Sequence, residues 1–245
     1  MQQYCEIPTK KGTLRGFFHT PRLQKFPVCL IFHGFTGSCT GTKFSYVQLS
    51  RMLEARGVGT LRMDFLGSGE SDLNFKDMTF DDELSCARIL IEEVKKLPST
   101  TDIYVLGHSM GGVIASEIAK LYPEDVKKLC LWAPAFFLPM GKEYLIGNQA
   151  KANTYDHNGF EISDAFLEDL GHRDFLKDLN RYHNQLMVIH GSEDRTVPYS
   201  THEHYLPLMH NPQFVTIEGA THNFDCLDHI KHVLKETLEF FSDAQ

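Results

Sequence analysis

Ser109 stands between two glycines, in Gly107-His108-Ser109-Met110-Gly111-Gly112. The apolar run Ile103-Tyr104-Val105-Leu106 precedes it and the helix-like stretch Val113-Ile114-Ala115-Ser116-Glu117-Ile118-Ala119 follows. Strand, sharp turn and helix with a serine at the tip is the setting of a nucleophile elbow. A serine forced into such a turn leaves room only for small residues two positions either side, and Gly107 and Gly111 meet that demand. The helix start behind it offers free N–H groups that favour developing negative charge. A serine hydroxyl is a poor nucleophile at neutral pH and needs a neighbouring base.

The partners are expected at other strand ends. Val28-Cys29-Leu30-Ile31-Phe32 runs into His33-Gly34-Phe35-Thr36-Gly37, a turn able to present backbone N–H groups. Leu186-Met187-Val188-Ile189-His190 runs into Gly191-Ser192-Glu193-Asp194-Arg195, and Gln213 to Ile217 runs into Glu218-Gly219-Ala220-Thr221-His222. An imidazole can take the serine proton and return it to a leaving group, which makes His222 the expected base. A carboxylate must fix its tautomer and balance its charge, the role expected of Asp194 in preference to the adjacent Glu193. The N–H groups of Phe35 and Met110 are the expected oxyanion hole. Asp225 and Asp228 follow His222 too closely to orient it. His190 reads as a structural histidine, and His108 as packing under the elbow. The order Ser, acid, His is that of the α/β-hydrolase arrangement.

Repeated strand–helix units must position these groups. Tyr4–Ile7 and Thr13–His19 read as an antiparallel edge hairpin. Helical periodicity covers Phe44–Arg56, and a strand is expected at Val58–Met63. Thr79 to Lys96 reads as an amphipathic helix, with Thr79 as N-cap, acidic residues in its first turn and lysines in its last. Further strands are expected at Asp102–Leu106 and Val126–Trp132, and helices at Ser200–Met209 and Cys226–Phe241. This alternation implies one domain over residues 1–245, with a mostly parallel sheet and helices on both faces. It breaks down between Phe136 and His183, too long a stretch for a plain connection. That stretch reads as an inserted lid over the elbow.

Composition narrows the function classes. The 245 residues carry a net charge of −8, which argues against nucleic acid or an anionic membrane as partner. Nothing approaches a spanning apolar run and no signal peptide is visible, so a cytoplasmic location is expected. The six cysteines lack C-x-x-C spacing and read as reduced thiols. Thirteen histidines occur without a zinc motif, so no metal is expected. Gly67-Ser68-Gly69 lacks the ending of a phosphate loop.

His33-Gly34-Phe35-Thr36-Gly37, Asp64-Phe65-Leu66-Gly67-Ser68-Gly69-Glu70-Ser71, the elbow, Gly219-Ala220-Thr221-His222 and the insertion after Trp132-Ala133-Pro134-Ala135 together resemble α/β-hydrolase-fold serine esterases. Within them the chain looks most like the bacterial feruloyl (cinnamoyl) esterases, over nearly its whole length. The resemblance implies hydrolysis of hydroxycinnamate esters without a cofactor, the small aromatic ester being the partner. It also implies a lid whose polar residues bond the phenolic hydroxyl. Gly147-Asn148-Gln149 resembles the lid segment that carries one such glutamine, so Gln149 is expected there. The resemblance also implies an acidic partner a few residues earlier; no residue matches that position clearly, and Glu143, with Tyr144 beside it, is the nearby candidate. Asn153 and Tyr155 suggest further polar anchors. A general carboxylesterase or monoacylglycerol lipase shares the elbow. A non-catalytic binding protein on the same scaffold is the rival from another class. A homodimer is left open.

Overall fold

A computed structural model describes residues 1–139, 145–146, 149–151 (backbone) and 153–242. In chain order its strands are β1 (Gln2–Pro8), β2 (Thr13–His19), β3 (Phe26–Phe32), β4 (Gly59–Met63), β5 (Thr100–His108), β6 (Val126–Trp132), β7 (Gln149–Lys151), β8 (Thr154–His157), β9 (Phe160–Ser163), β10 (Gln185–Gly191) and β11 (Gln213–Ile217). Eight of them form the main sheet, in the order β1-β2-β4-β3-β5-β6-β10-β11. β1 and β2 form the expected antiparallel edge, β2 joins β4 antiparallel, and the rest pair in parallel.

The central strands are apolar on both sides because both sides are covered. Val28 and Leu30 of β3, Val105 of β5, Leu129 and Leu131 of β6 and Val188 of β10 pack into one core layer. Cys29, Ile31, Leu106, Cys130, Trp132 and Ile189, their period-two neighbours, pack into the other. The α-helices are α1 (Ser45–Ala55), α2 (Phe80–Lys96), α3 (Met110–Leu121), α4 (Asp164–Gly171), α5 (His202–Tyr205) and α6 (Leu227–Ser242). Helices α2 and α3 cover the first layer through Leu90, Ile91, Val94, Val113 and Ile118. Helices α1 and α6 cover the second through Leu49, Leu53, Val233 and Phe241. Each fully buried Val, Leu or Ile here contributes about 1.5–3 kcal/mol. The start of α2 is fixed as expected. Thr79 Oγ1 accepts from Asp82 N while the Asp82 carboxylate accepts from Thr79 N, a reciprocal capping box.

Two expectations change. The helix expected over Ser200–Met209 shortens to α5 between two 3₁₀ turns, Tyr199–Thr201 and Leu206–Leu208. Pro207 lacks the N–H that would extend the α-helix through this stretch. The segment from 136 to 183 is more regular than its sequence suggests. It contains a small antiparallel sheet of β7, β8 and β9, followed by α4. Phe160 pairs with His157 in the strands, and Ser163 caps α4 by accepting from Phe166 N.

One buried acid in α2 affects stability. Among the described residues neither oxygen of the Glu83 carboxyl has a hydrogen-bond partner. Burial, with Asp82 beside it, pushes its pKa from an ordinary 4.5 up to about 8. Folding therefore takes up a proton at neutral pH. The stability this group allows is full below about pH 4.5 and is lost as pH rises towards 8. Glu83→Gln is expected to remove that decline and to be more stable than wild type at neutral pH by about 2–3 kcal/mol. Urea denaturation at several pH values checks it; parallel stability curves for the two proteins would refute it.

Candidate active site

The parallel strands all end on one edge of the sheet, where ligand sites of such sheets gather. β5 delivers Ser109, β3 delivers Phe35, β10 delivers Asp194 and β11 delivers His222. Ser109 takes φ 58° and ψ −122°, a strained conformation for a residue with a Cβ, costing about 1–3 kcal/mol. Backbone packing dictates the turn. A Cβ on Gly107 would lie 2.0 Å from Gly111 O, and one on Gly111 would lie 2.3 Å from Phe32 O. Ser109 N donates to Trp132 O at 2.8 Å and Ser109 O accepts from Ala135 N at 3.2 Å, holding the tip from both sides.

The loops after β10 and β11 are bound to each other. Glu193 N donates to Ala220 O at 2.9 Å, Ser192 N to Ile217 O at 3.1 Å, and Gly219 N to Ser192 Oγ at 2.8 Å. This pairing places the His222 imidazole on the Asp194 carboxylate, with Nδ1 donating to Oδ2 at 2.7 Å. The other carboxylate oxygen, Oδ1, accepts from Thr196 N and Val197 N, both at 2.9 Å. Burial alone would raise the Asp194 pKa. The hydrogen bonds from His190, His222 and Val197 N outweigh it and hold the carboxyl well below the usual range. The sequence preference for Asp194 over Glu193 thus agrees with the hydrogen bonds. Among the described residues Ser109 Oγ has no hydrogen-bond partner; in unliganded hydrolytic sites the serine–histidine contact is often long.

The loop after β3 that carries Phe35 is fixed by two residues of motifs singled out in the sequence. His33 Nε2 accepts from Phe65 N at 3.0 Å, which leaves the ring proton on Nδ1 to donate to Gly34 O at 2.9 Å. Burial lowers the His33 pKa, in keeping with an uncharged ring. Asp64 accepts from Cys39 N at 2.6 Å and from Glu70 N at 3.0 Å, tying this loop to the one after β4. The N–H groups of Phe35 and Met110 have no acceptor among the described residues, and both residues line the same cavity as Ser109 and His222. His108, expected under the elbow, is buried there; its Nε2 donates to His222 O at 3.0 Å. Burial and the nearby His222 push its pKa down to about 3.

The cavity measures about 400 Å³. Besides the expected groups it is lined by Phe137, Leu138, Leu145, His157 and Asn158, all from the inserted segment. No motif in the sequence marked any of these five. His157 and Asn158 sit where β8 turns into β9, and no sequence pattern distinguishes such a turn as cavity-lining. The Phe35 ring packs on Phe75, His157 and Phe166, with centroids 5.1, 5.6 and 5.2 Å away. The insert thus touches the loop that carries Phe35 directly. Tyr155 does not line the cavity; it packs, partly buried, against the core. Asn153 does not line the cavity either; its carbonyl accepts from Asp164 N at 3.0 Å. Gln149 lies in β7, paired with Tyr155, and its side chain is outside the described residues. Glu143 and Tyr144 are outside them as well. Among the described residues there is no cluster of three or more potential metal ligands and no helix long and apolar enough to cross a membrane.

The acid has one contact that the sequence reading missed. His190 is buried, as expected of a structural histidine, but its Nε2 lies 3.2 Å from Asp194 Oδ2. The four-residue spacing from Asp194 was the available signal.

Known proteins share this architecture. Est1E from Butyrivibrio proteoclasticus, in a structure with ferulic acid bound, is 28% identical, superimposes with a TM-score of 0.89 and covers 97% of both chains. Lipase 1 of Psychrobacter immobilis is 35% identical over 113 residues, 46% of this chain and 33% of that one. Proline iminopeptidase of Heyndrickxia coagulans is 24% identical over 218 residues, 83% of this chain and 69% of that one. The first of these curated relatives are matched over only about a third of their length. The family model described as "Serine aminopeptidase, S33" matches residues 24–153, more than half of the chain. The chain therefore belongs to that family and has the α/β-hydrolase fold.

Proposed function

We propose that the protein is a serine esterase that cleaves hydroxycinnamate esters through an acyl-enzyme. The observation that carries the chemistry is the 2.7 Å His222–Asp194 hydrogen bond beside a strained Ser109, facing two unengaged N–H groups. Ser109 Oγ attacks the ester carbonyl while His222 Nε2 takes its proton. The carbonyl oxygen becomes the oxyanion between Phe35 N–H and Met110 N–H. The tetrahedral intermediate collapses, the C–O bond to the alcohol breaks, and His222 protonates the departing oxygen. Water, deprotonated by His222, then attacks the acyl carbonyl. The carboxylic acid leaves and Ser109 Oγ recovers its proton. No step needs a cofactor or metal.

The acyl preference rests on the insert. The described part of the inserted lid supplies apolar walls through Phe137, Leu138 and Leu145, and polar ones through His157 and Asn158, to a cavity of about 400 Å³, room enough for a hydroxycinnamoyl group. The full-length likeness to a ferulate-binding esterase supports the same acyl group. Gln149, Glu143 and Tyr144 are the residues proposed to meet the phenolic end. A glyceride lipase is the second reading, favoured by the likeness to Lipase 1 and by those apolar walls. Free cysteines throughout fit a cytoplasmic setting.

The test compares kcat/KM on methyl ferulate, a long-chain monoacylglycerol and an aminoacyl arylamide. Methyl ferulate is expected to be the best substrate by about tenfold or more, the scale on which pocket fit discriminates. Preference for the glyceride would establish the lipase reading; preference for the arylamide would overturn ester chemistry as the main activity.

A further inference from the structure

His190, the penultimate residue of β10, and Tyr205, the last residue of α5, are both buried. Neither takes part in the proton transfers proposed above. For a neutral His190 imidazole their hydrogen bonds have one consistent assignment. His190 Nε2 lies 3.2 Å from Asp194 Oδ2 and 3.1 Å from Val197 O. A carbonyl only accepts and an ionised carboxylate only accepts, so Nε2 must carry a proton. His190 Nδ1 lies 3.3 Å from Tyr205 Oη. Burial keeps the Tyr205 phenol protonated, and that hydroxyl has no other partner among the described residues. With a neutral ring, Tyr205 therefore donates to Nδ1, and Nε2–H is shared between Asp194 Oδ2 and Val197 O.

We infer that His190 is a positioning residue for Asp194, its Nε2–H tautomer set by the acceptors Asp194 Oδ2 and Val197 O and its ring held from the other side by Tyr205. This rests on the reading of Asp194 as the triad acid. The consequence is a complete set of donors. Thr196 N and Val197 N occupy Oδ1, while His222 Nδ1 and His190 Nε2 share Oδ2. A carboxylate offers about four lone-pair sites, so all are used and its plane cannot rotate away from His222. The second donor also draws charge from Oδ2, which limits how strongly that oxygen stabilises a protonated His222. The titratable groups facing His190 are Asp194 on its own loop, Tyr199 with its ring edge-on at 5.5 Å, and Tyr205. His222 reaches it through the shared oxygen, and His108 lies beyond His222 with ring centroids 4.8 Å apart.

The test labels Ser109 with a fluorophosphonate across a pH series in wild type, His190→Ala, His190→Gln and Tyr205→Phe, alongside kcat and KM on methyl ferulate and melting curves. Long-range ¹⁵N–¹H correlation of the wild-type histidines reads the tautomer directly. His190→Ala is expected to label about 10- to 100-fold more slowly, the range for groups that orient a functional histidine. Its KM should be unchanged and the acidic limb of its pH profile should move to higher pH. His190→Gln, whose amide can still donate to Oδ2, should recover most of the rate. Tyr205→Phe should lose less rate and keep the Nε2–H tautomer, which Asp194 Oδ2 and Val197 O fix, while Nδ1 loses its donor. Three results overturn the inference: wild-type rate and limb in His190→Ala; equal losses in the Ala and Gln variants that follow melting temperature alone; or an Nδ1–H tautomer in wild type. Should His190→Ala fail to fold, Tyr205→Phe and the wild-type tautomer still decide. A wild type that the probe does not label overturns the ester-hydrolase reading instead, while the tautomer measurement still tests the hydrogen-bond assignment.

Discussion

Ser109→Ala is expected to abolish ester turnover and fluorophosphonate labelling, with a fall in kcat of about 10⁵–10⁶-fold, as for loss of a triad serine elsewhere. The protein should remain folded, because the turn is held by Ser109 N to Trp132 O and Ser109 O to Ala135 N, bonds the side chain does not make. Residual catalysis would come from the Phe35 and Met110 N–H groups and from substrate binding alone. Ser109→Gly should be equally inactive but melt at a higher temperature than the alanine variant. Glycine adopts φ 58° freely, whereas alanine at this position would keep the strain without the hydroxyl that justifies it. Turnover kinetics and calorimetry on the two variants check both halves. Substantial labelling of Ser109→Ala would show that another residue is the nucleophile.

Asp194→Asn is expected to keep the fold and to lose about 10⁴-fold in kcat, with little change in KM. The asparagine oxygen can still accept from one set of neighbours, but its NH₂ group must face the other. If the NH₂ faces Thr196 N and Val197 N, two donor pairs oppose each other. If it faces His222, Nδ1 must become the acceptor and the ring proton moves to Nε2, where it points at Ser109 and cannot receive the serine proton. The same substitution leaves His190 Nε2 competing for a weaker acceptor, so some loss of stability accompanies the loss of rate. Steady-state kinetics with a melting curve checks this. Near-normal turnover would mean that a carboxylate other than Asp194, such as the adjacent Glu193, serves the histidine.

The physics of short segments determined much of this protein from sequence alone. A short continuous apolar run bounded by turn residues reads as a strand buried on both faces, and Val28–Phe32 is one. A serine between Gly107 and Gly111 could only sit on a turn too tight for side chains, and the distances at those glycines show why. Strand ends in a parallel sheet face one edge, so Phe35, Ser109, Asp194 and His222 were readable as one cluster although 187 positions separate the first from the last. The α5 region was misjudged because one proline outweighed a helical pattern that contains it.

What lay beyond the sequence depends on contacts between loops. The wall contributed by Phe137, Leu138, Leu145, His157 and Asn158 exists only once the insert's small sheet settles over the elbow. Nothing in the local pattern distinguishes a turn over a cavity from a turn over solvent. Tyr155 illustrates the converse, an apparent polar anchor that packs against the core instead of lining the cavity. His190 is the sharpest case. Its burial was legible from its place in an apolar strand, but its acceptor was not. A carboxylate four residues later reaches back to it only because the loop after β10 curls under the one after β11. Periodicity and turn chemistry act over a few residues and fix the elements. Which side chains share one carboxylate is decided by the packing of loops far apart in the chain.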